Sequence, residues 1–282
     1  MTQISQLDTN AKNISDENVV TLTWLGQAGF LIQFDSSRAV IIDPYLSDSL
    51  AKKYQGKLFP HVRMQQPPVT GATLPKLEAY LMTHGHTDHM DPETIQAVAQ
   101  KQSPSFIFPK HESAKALDRG VPETLGVGMN AGDQIDFGTF AVTALPAAHE
   151  EIQVDEFGFY HALGYIIDIA GIRIYHSGDC VPYRGQAELL TAHQIDLALL
   201  PINGRDQYRT ENGVPGNFHA QEAIDLCEAA GIKTLIPHHF GMFDFNTVNP
   251  MDYVDFFAAS QVEVLIPKIG QTIHFGKQGV VS

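Results

Sequence analysis

The chain has 282 residues, 44% of them apolar and 18% charged, enough to bury a sizeable core and unlike a disordered segment. Its 18 Lys and Arg against 32 Asp and Glu leave a formal net charge of −14, which disfavours a general role in binding nucleic acid or other polyanions. The two cysteines, Cys180 and Cys227, lack C-x-x-C spacing and read as structural thiols of a reducing compartment.

Residues 1–18 are polar and acidic, without the basic start and apolar run of an export signal, and read as a polar extension. No uninterrupted apolar run reaches the length of a membrane span, so a cytoplasmic protein without a membrane partner is expected. From Val19 onward, short β-branched and aromatic runs predict strands over 19–25, 29–34, 39–42, 78–83, 105–108, 139–145, 163–169, 172–176, 195–201, 233–237 and 262–267. Residues 46–75 hold four prolines and little periodicity, which reads as a functional or lid-like excursion. Asp91 is a good N-cap with Pro92 at the first helical position, and Ile95, Val98 and Ala99 share a face. Gly126, Gly128 and Gly132 miss the dinucleotide-binding spacing by one residue and read as a turn-rich loop. A second helix is predicted from near His219 to Ala230, ending at Gly231, with weaker patterns over 111–119, 185–193 and 250–260. Strand meanders come first and mixed strands and helices follow, without the alternation of a Rossmann or barrel fold. The pattern fits a single α/β domain over residues 1–282, a sandwich with sheets inside and helices outside.

The densest chemical signal is Thr83-His84-Gly85-His86-Thr87-Asp88-His89, after the apolar run EAYLM and before the Asp91 helix start. In an extended stretch residues 84, 86 and 88 point to one side, and the turn into the helix brings residue 89 round toward them. Gly85 and Thr87 are small enough to allow that crowding. Imidazole with carboxylate suits Zn, Mn or Fe, and the lack of nearby thiolate argues against a structural cysteine–zinc site. Four such ligands fill one ion or half-fill two. The plain alternative, a surface loop with chance histidines, is weakened by the density of ligands at a strand end. Three further strand ends deliver ligands: His149 after TFAVTALP, Asp179 after IRIYH, and the pair His238-His239 after KTLIP.

The motif resembles the H-x-H-x-D-H signature of the metallo-β-lactamase superfamily, with His84, His86, Asp88 and His89 in its places. The resemblance extends from Trp24-Leu25-Gly26-Gln27-Ala28-Gly29 through Ile42-Asp43-Pro44 to Pro237-His238-His239-Phe240-Gly241. It implies a four-layered αββα sandwich in which His84, His86 and His149 hold one metal. Asp88, His89 and His239 would hold a second, with His238 as the alternative to His239, and Asp179 would bridge the two. An aspartate at position 179, where the best-known lactam-cleaving enzymes carry cysteine, points to the broader dinuclear hydrolases. The segments WLGQAGF, IIDPYLSD, YHSGDC, LLPINGRD, GNFHAQEAIDL and PHHFGMF resemble the branch that contains L-ascorbate-6-phosphate lactonase.

The cofactors expected are therefore two divalent ions, Mn or Zn first and Fe after them. With two carboxylates and one hydroxide such a cage keeps a charge of about +1, and a bound water becomes acidic near neutral pH, so no activated serine is required. No G-x-S-x-G elbow is present. The expected reaction is hydroxide attack on an ester, lactone or phosphoester of a small anionic or sugar-derived substrate, with Asp88 orienting the nucleophile and moving a proton. Asn203 and Arg205 are the substrate-binding candidates, set against an ordinary ion pair of Arg205 with Asp206 or another carboxylate. His176, Tyr183, Arg184 and His219 are weaker candidates, and Lys110, His111 and His161 read as solvated or structural. A phosphodiesterase, and from another class a metal-stabilised scaffold without turnover, are the alternatives. A homo-oligomer is suggested by the resemblance alone.

Overall fold

The computed structural model describes residues 19–35 and 37–281, and the expected polar extension over residues 1–18 lies outside them. The chain opens with β1 (Val19–Gly26), β2 (Gly29–Gln33), β3 (Ala39–Ile42), β4 (Leu77–Leu81), β5 (Ser105–Pro109) and β6 (Gly126–Met129). A second sheet takes β7 (Gln134–Asp136), β8 (Phe140–Pro146), β9 (Leu163–Ile169), β10 (Ile172–His176), β11 (Leu197–Pro201), β12 (Thr234–His238) and β13 (Glu263–Val264). The chain then returns to the first sheet as β14 (Thr272–Gly276) and β15 (Gly279–Val280), giving the spatial orders β15-β14-β1-β2-β3-β4-β5-β6 and β13-β12-β11-β10-β9-β8-β7. The helices are α1 (Ser49–Lys53), α2 (Pro92–Ala99), α3 (Ser113–Asp118), α4 (Gln186–His193), α5 (Gln207–Glu211), α6 (Ala220–Ala230) and α7 (Val254–Ala259).

Alternation along the strands of the first sheet builds the layers. Phe30, Ile32, Val40, Ile42, Ala79, Leu81 and Ile107 join a core shared with Val142, Ala144, Ile167 and Ile174 of the second sheet. Their neighbours Leu31, Ile41, Tyr80 and Phe106 face the opposite way and pack with Ile95 and Val98 of α2 and Ala116 of α3. A sheet covered on both faces must be apolar on both, so these strands read as continuous apolar runs. On the far side of the second sheet, α6 lies on β11 and β12, and α4 lies beside it. The order is helix, sheet, sheet, helix, the αββα arrangement the resemblance implies.

β3 through β6 run parallel to one another in the first sheet, and β10 through β13 in the second. Two antiparallel steps separate β8 from β10, so they too point the same way. The loops leaving β4, β8, β10 and β12 therefore leave their sheets at C-terminal ends, where sites of layered α/β folds are built.

Several expectations are revised. The stretch read as a turn-rich loop contains β6, an edge strand paired with β5; side chains at Gly126 and Gly128 would press on the Phe108 ring and on Lys110, so the glycines permit close pairing. The strand expected over 262–267 shortens to β13, and β7, β14, β15, α1 and α5 are additions. Within 46–75 only α1 and a single 3₁₀ turn are regular, and the segment is held against the loop after β12, where the Met64 amide donates to the Met242 carbonyl at 2.8 Å. Arg63, whose side chain is only 4% exposed, pins the same segment by donating to the carbonyls of Tyr45 and Ser47 and to Asp48.

Asp91 joins that segment to α2. Its buried carboxylate accepts from Ser47 Oγ and Ser49 Oγ at 2.8 Å each, from Thr94 Oγ1 at 2.5 Å and from the Glu93 amide at 3.3 Å. Asp91→Ala removes a helix cap and strands several donors, and is expected to lower the unfolding free energy by about 2–4 kcal/mol. A urea titration of the metal-free protein reads this directly; an unchanged midpoint would contradict it.

Candidate metal centre

After β4 the chain does not continue extended. The Met90 and His89 amides donate to the His86 carbonyl at 2.8 and 3.2 Å, so residues 86–90 form a turn rather than the alternating stretch expected from the motif. The turn separates the ligands: His86 faces His149, and Asp88 faces His239. Arg119, just after α3, holds the turn by donating to the carbonyls of His86 and Met90 at 3.2 and 2.8 Å. A side chain at position 85 would run into Lys115 Nζ and the Glu112 carboxylate, which explains the glycine between the two histidines.

Three overlapping sets of ligand atoms result, each within 4.8 Å: His84, His86 and His149; His84, His89 and Asp179; Asp88, His89 and His239. His149 Nε2 lies 3.0 Å from His86 Nδ1. Asp179 stands between histidines, with Oδ1 3.3 Å from His89 Nε2 and Oδ2 3.1 Å from His239 Nε2. Asp88 Oδ2 is 3.8 Å from His89 Nε2 and 4.0 Å from His239 Nε2. The sequence-predicted set of His84, His86, Asp88, His89, His149, Asp179 and His239 thus comes together at one rim, from four strand ends. His238 does not join it: its ring is buried in the core, stacked on His176 with centroids 4.7 Å apart and edge-on to Phe30. His239, at φ 61°, turns the chain so that its own ring reaches the cluster.

The outer partners decide which nitrogen faces inward. Asp43, directly after β3, accepts from the Thr83 amide at 2.8 Å and from Thr83 Oγ1 at 2.6 Å, and its Oδ2 lies 2.7 Å from His89 Nδ1. His89 therefore donates Nδ1–H to Asp43 and turns Nε2 to the cluster, the carboxylate–histidine arrangement common behind metal ligands. The single Thr83 hydroxyl proton is spent on Asp43, so His84 donates Nδ1–H to Thr83 Oγ1 at 3.1 Å and leaves Nε2 as a bare lone pair. His84 Nε2, His89 Nε2, His149 Nδ1 and Asp179 Oδ1 are buried without any hydrogen-bond partner. Buried polar atoms are normally satisfied; a convergent set of unsatisfied imidazole and carboxylate atoms fits a divalent cation of the Zn, Mn or Fe type.

Electrostatics divide the centre. Burial lowers the pKa of His84 far below the usual imidazole value, lowers His86, and brings His149 to about 4, so all three are neutral at pH 7. Burial pulls His89 the same way, but Asp179, Asp43 and Asp88 outweigh it and raise His89 well above the usual value. In turn, burial raises Asp179 and Asp88 less than the neighbouring histidines lower them: His239 and His89 hold Asp179 far down, and His89 leads the lowering of Asp88. Without a cation His89 holds a proton in this half.

The remaining candidates are engaged by other partners. Asn203 is buried in an amide network, donating to Asn246 Oδ1 at 2.8 Å and accepting from Asn217 Nδ2 at 3.0 Å. The Arg205 guanidinium is held by both carboxylate oxygens of Glu222, at 2.7 and 2.6 Å, and is in none of the ligand sets; its ion-pair partner is a residue of α6, not Asp206. His176 donates Nε2–H to the Ala28 carbonyl and accepts from the Gly178 amide, and Tyr183 donates to the Pro146 carbonyl. His219 caps α6. Burial pushes the Cys180 thiol up to about 12, so it remains protonated. His161, read as solvated or structural, lines a cleft of ≈ 180 Å³ over His84, His86 and His149 together with Lys115, Glu112, Glu151 and Gln153. It stacks on His111 at a centroid distance of 3.6 Å, and His111 is paired with Asp155. Gln27 and Asp43 were not identified as site residues; the signals available were their places at the ends of buried strands and within the segments that carry the resemblance.

A family model described as the beta-lactamase superfamily domain matches residues 38–240. A protein of Archaeoglobus fulgidus named UPF0173 metal-dependent hydrolase is 31% identical over 262 residues, covering 91% of this chain and 99% of that protein. Among solved structures, Igni18, a metallo hydrolase of the archaeon Ignicoccus hospitalis, aligns over 91% of this chain and 98% of its own with TM-score 0.67 and 19% identity. Isothiocyanate hydrolase from Delia radicum gut bacteria aligns over 91% of this chain and 99% of its own, with TM-score 0.71 and 19% identity. At those identities the two structures speak for the fold alone. Among the described residues no helix is long and apolar enough to cross a membrane.

The raised pKa of His89 has a measurable consequence. A cation on the Asp88–His89–His239 side must displace the His89 proton, whereas His84, His86 and His149 have none to lose at pH 7. Loading should therefore release about one proton, and affinity should rise with pH until the His89 pKa is passed. Calorimetric titrations at pH 7 in buffers of different ionisation enthalpy are expected to differ by that one proton; identical heats would contradict the assignment.

Proposed function

This chain belongs to the β-lactamase superfamily, among its metal-dependent hydrolases, and from that premise we propose that it opens a lactone or ester of a small phosphorylated sugar acid. In this reading His84, His86 and His149 would hold one divalent ion and Asp88, His89 and His239 a second, with Asp179 available to both; Mn or Zn is the favoured metal and Fe the next. The observation that carries the proposal is the set of buried imidazole and carboxylate atoms left without partners between those side chains. When bound, such ions supply Lewis acidity, which polarises an ester carbonyl and makes water nucleophilic near neutral pH.

The protein's own groups do the rest. Asp88 is ionised, 16% exposed and held in place by the Gln27 amide, so it can take the proton of the attacking water. The water oxygen bonds to the carbonyl carbon, the ring C–O bond breaks, and the proton held at Asp88 passes to the departing alkoxide, giving the open hydroxy acid. The cleft over the three-histidine half supplies the recognition. Lys115 is paired with Glu112 at 2.6 Å yet remains 44% exposed, and with His161 it offers donors to a phosphate or carboxylate of the substrate. Arg205, engaged by Glu222, leaves that task to the cleft.

A panel of phosphorylated and unphosphorylated sugar-acid lactones and bis(p-nitrophenyl) phosphate tests the reading. Lactone opening is expected, with Asp88→Asn lowering kcat by at least about 100-fold. Lys115→Ala should raise KM about tenfold for phosphorylated lactones only, with metal content unchanged. Cleavage of the phosphodiester alone would assign a phosphodiesterase, and a fully loaded protein inert on the whole panel would be a scaffold.

A further inference from the structure

We infer that Gln27 belongs to the half-site of Asp88 and His239 as a positioning residue, its side-chain amide fixing the Asp88 carboxylate and so setting how tightly that half binds a divalent cation. The inference rests on the reading of this centre as a two-ion site.

Gln27 lies in the turn between β1 and β2 and is completely buried. Its Nε2 donates to Asp88 Oδ2 at 2.8 Å and lies 3.1 Å from His239 Nε2. Its backbone carbonyl accepts from the His239 amide at 2.9 Å and from Trp24 Nε1 at 3.0 Å. One residue thus touches the Asp88 side chain and both the backbone and the ring of His239, two groups contributed by different sheets. Trp24 in turn packs its ring against Phe240, with centroids 4.7 Å apart, so the turn carrying Gln27 and the loop carrying His239 are fastened together.

Two features make a packing role an insufficient account of this residue. Gln27 has φ 50°, a left-handed conformation that disfavours most side chains and is tolerated best by Gly, Asn and Asp. Its Oε1 is buried without a partner, an arrangement that costs stability. A turn chosen for stability alone would not carry a glutamine in that conformation with half its amide unsatisfied. The contact with Asp88 accounts for it. Oδ2 is also the Asp88 oxygen that looks toward His89 and His239, at 3.8 and 4.0 Å. A carboxylate oxygen has two lone pairs; the amide takes one and holds the other toward the two imidazoles. Without that donor Asp88 is free to rotate out of the set, and loss of a partner of this kind typically weakens metal affinity about 10- to 100-fold.

The test is calorimetric titration of metal-free protein with Mn²⁺ and with Zn²⁺, comparing wild type, Gln27→Asn, Gln27→Ala, His86→Ala and His239→Ala, alongside thermal melts of the metal-free forms. Asparagine suits the left-handed turn but is one methylene too short to reach Asp88, so its metal-free Tm should stay at or above wild type. Wild type is expected to show two binding events. Both Gln27 variants should keep the event that survives in His239→Ala and weaken the other about 10- to 100-fold. Wild-type affinities for both ions in Gln27→Asn would overturn the inference while leaving the two-ion reading intact, and equal weakening of both events would reduce Gln27 to a packing role. A single event in wild type would overturn the two-ion reading and this inference with it.

Discussion

Desolvated lone pairs are the constraint around which this molecule is arranged. His84, His89, Asp179 and His239 are almost wholly withdrawn from water, and His84 Nε2, His89 Nε2 and Asp179 Oδ1 have no hydrogen-bond partner. Burying such groups is unfavourable unless something compensates them; among the described residues, the proton that Asp179, Asp43 and Asp88 favour on His89 compensates them in part. The neighbouring half, His84, His86 and His149, consists of neutral imidazoles with nothing positive among them. A cation in each half would satisfy them, and the surrounding structure reads as the apparatus that keeps the unsatisfied groups from moving apart.

That apparatus is layered. The two sheets deliver ligands at strand ends, where the backbone is pinned by the sheet on one side and free to turn on the other. Thr83 and Asp43 then fix the imidazoles of His84 and His89 from behind, and Arg119 fixes the turn that parts His86 from Asp88. Across the gap between the sheets, the turn after β1 accepts the His239 amide. The proline-rich segment before β4 closes the far side: Arg63 and Asp91 anchor it, and its backbone pairs with the loop that follows His239. Removing any one of these supports leaves the ligands present in the chain but not in register, which matters because coordination tolerates little misplacement.

The ligand-rich loop was legible in the sequence because its members are neighbours in the chain and chemically unusual together. His149 and Asp179 were legible for a different reason, as polar residues placed at the ends of apolar strands. The family resemblance favoured His239 with His238 as the alternative; the strand ends between them, and the left-handed φ of His239 turns its ring to the rim. The roles of Asp43 and Gln27 were opaque although both lie in segments that carry the resemblance, since a carboxylate and an amide are common and their partners stand 46 and 61 residues away. Arg205 shows the same limit in reverse, its carboxylate partner being Glu222 on α6 rather than the adjacent Asp206. The layers themselves followed from apolar runs, whereas the glycine-containing β6 was misjudged because glycine marks both turns and close strand approach.

The substrate side is less constrained than the metal side, as expected where a shared framework carries differing chemistries. The cleft offers Lys115 and His161 beside an otherwise acidic chain, so an anion must be held by local groups against the overall field. The central claim, that the buried lone pairs are those of a two-ion centre, is tested most directly by elemental analysis of tag-free protein, wild type beside His86→Ala, with hydrolysis assayed on the same samples. The account predicts about two equivalents of Mn, Zn or Fe in wild type and a sharp fall in both metal and turnover in the variant. Wild-type protein that is metal-free and cannot be reconstituted would contradict it.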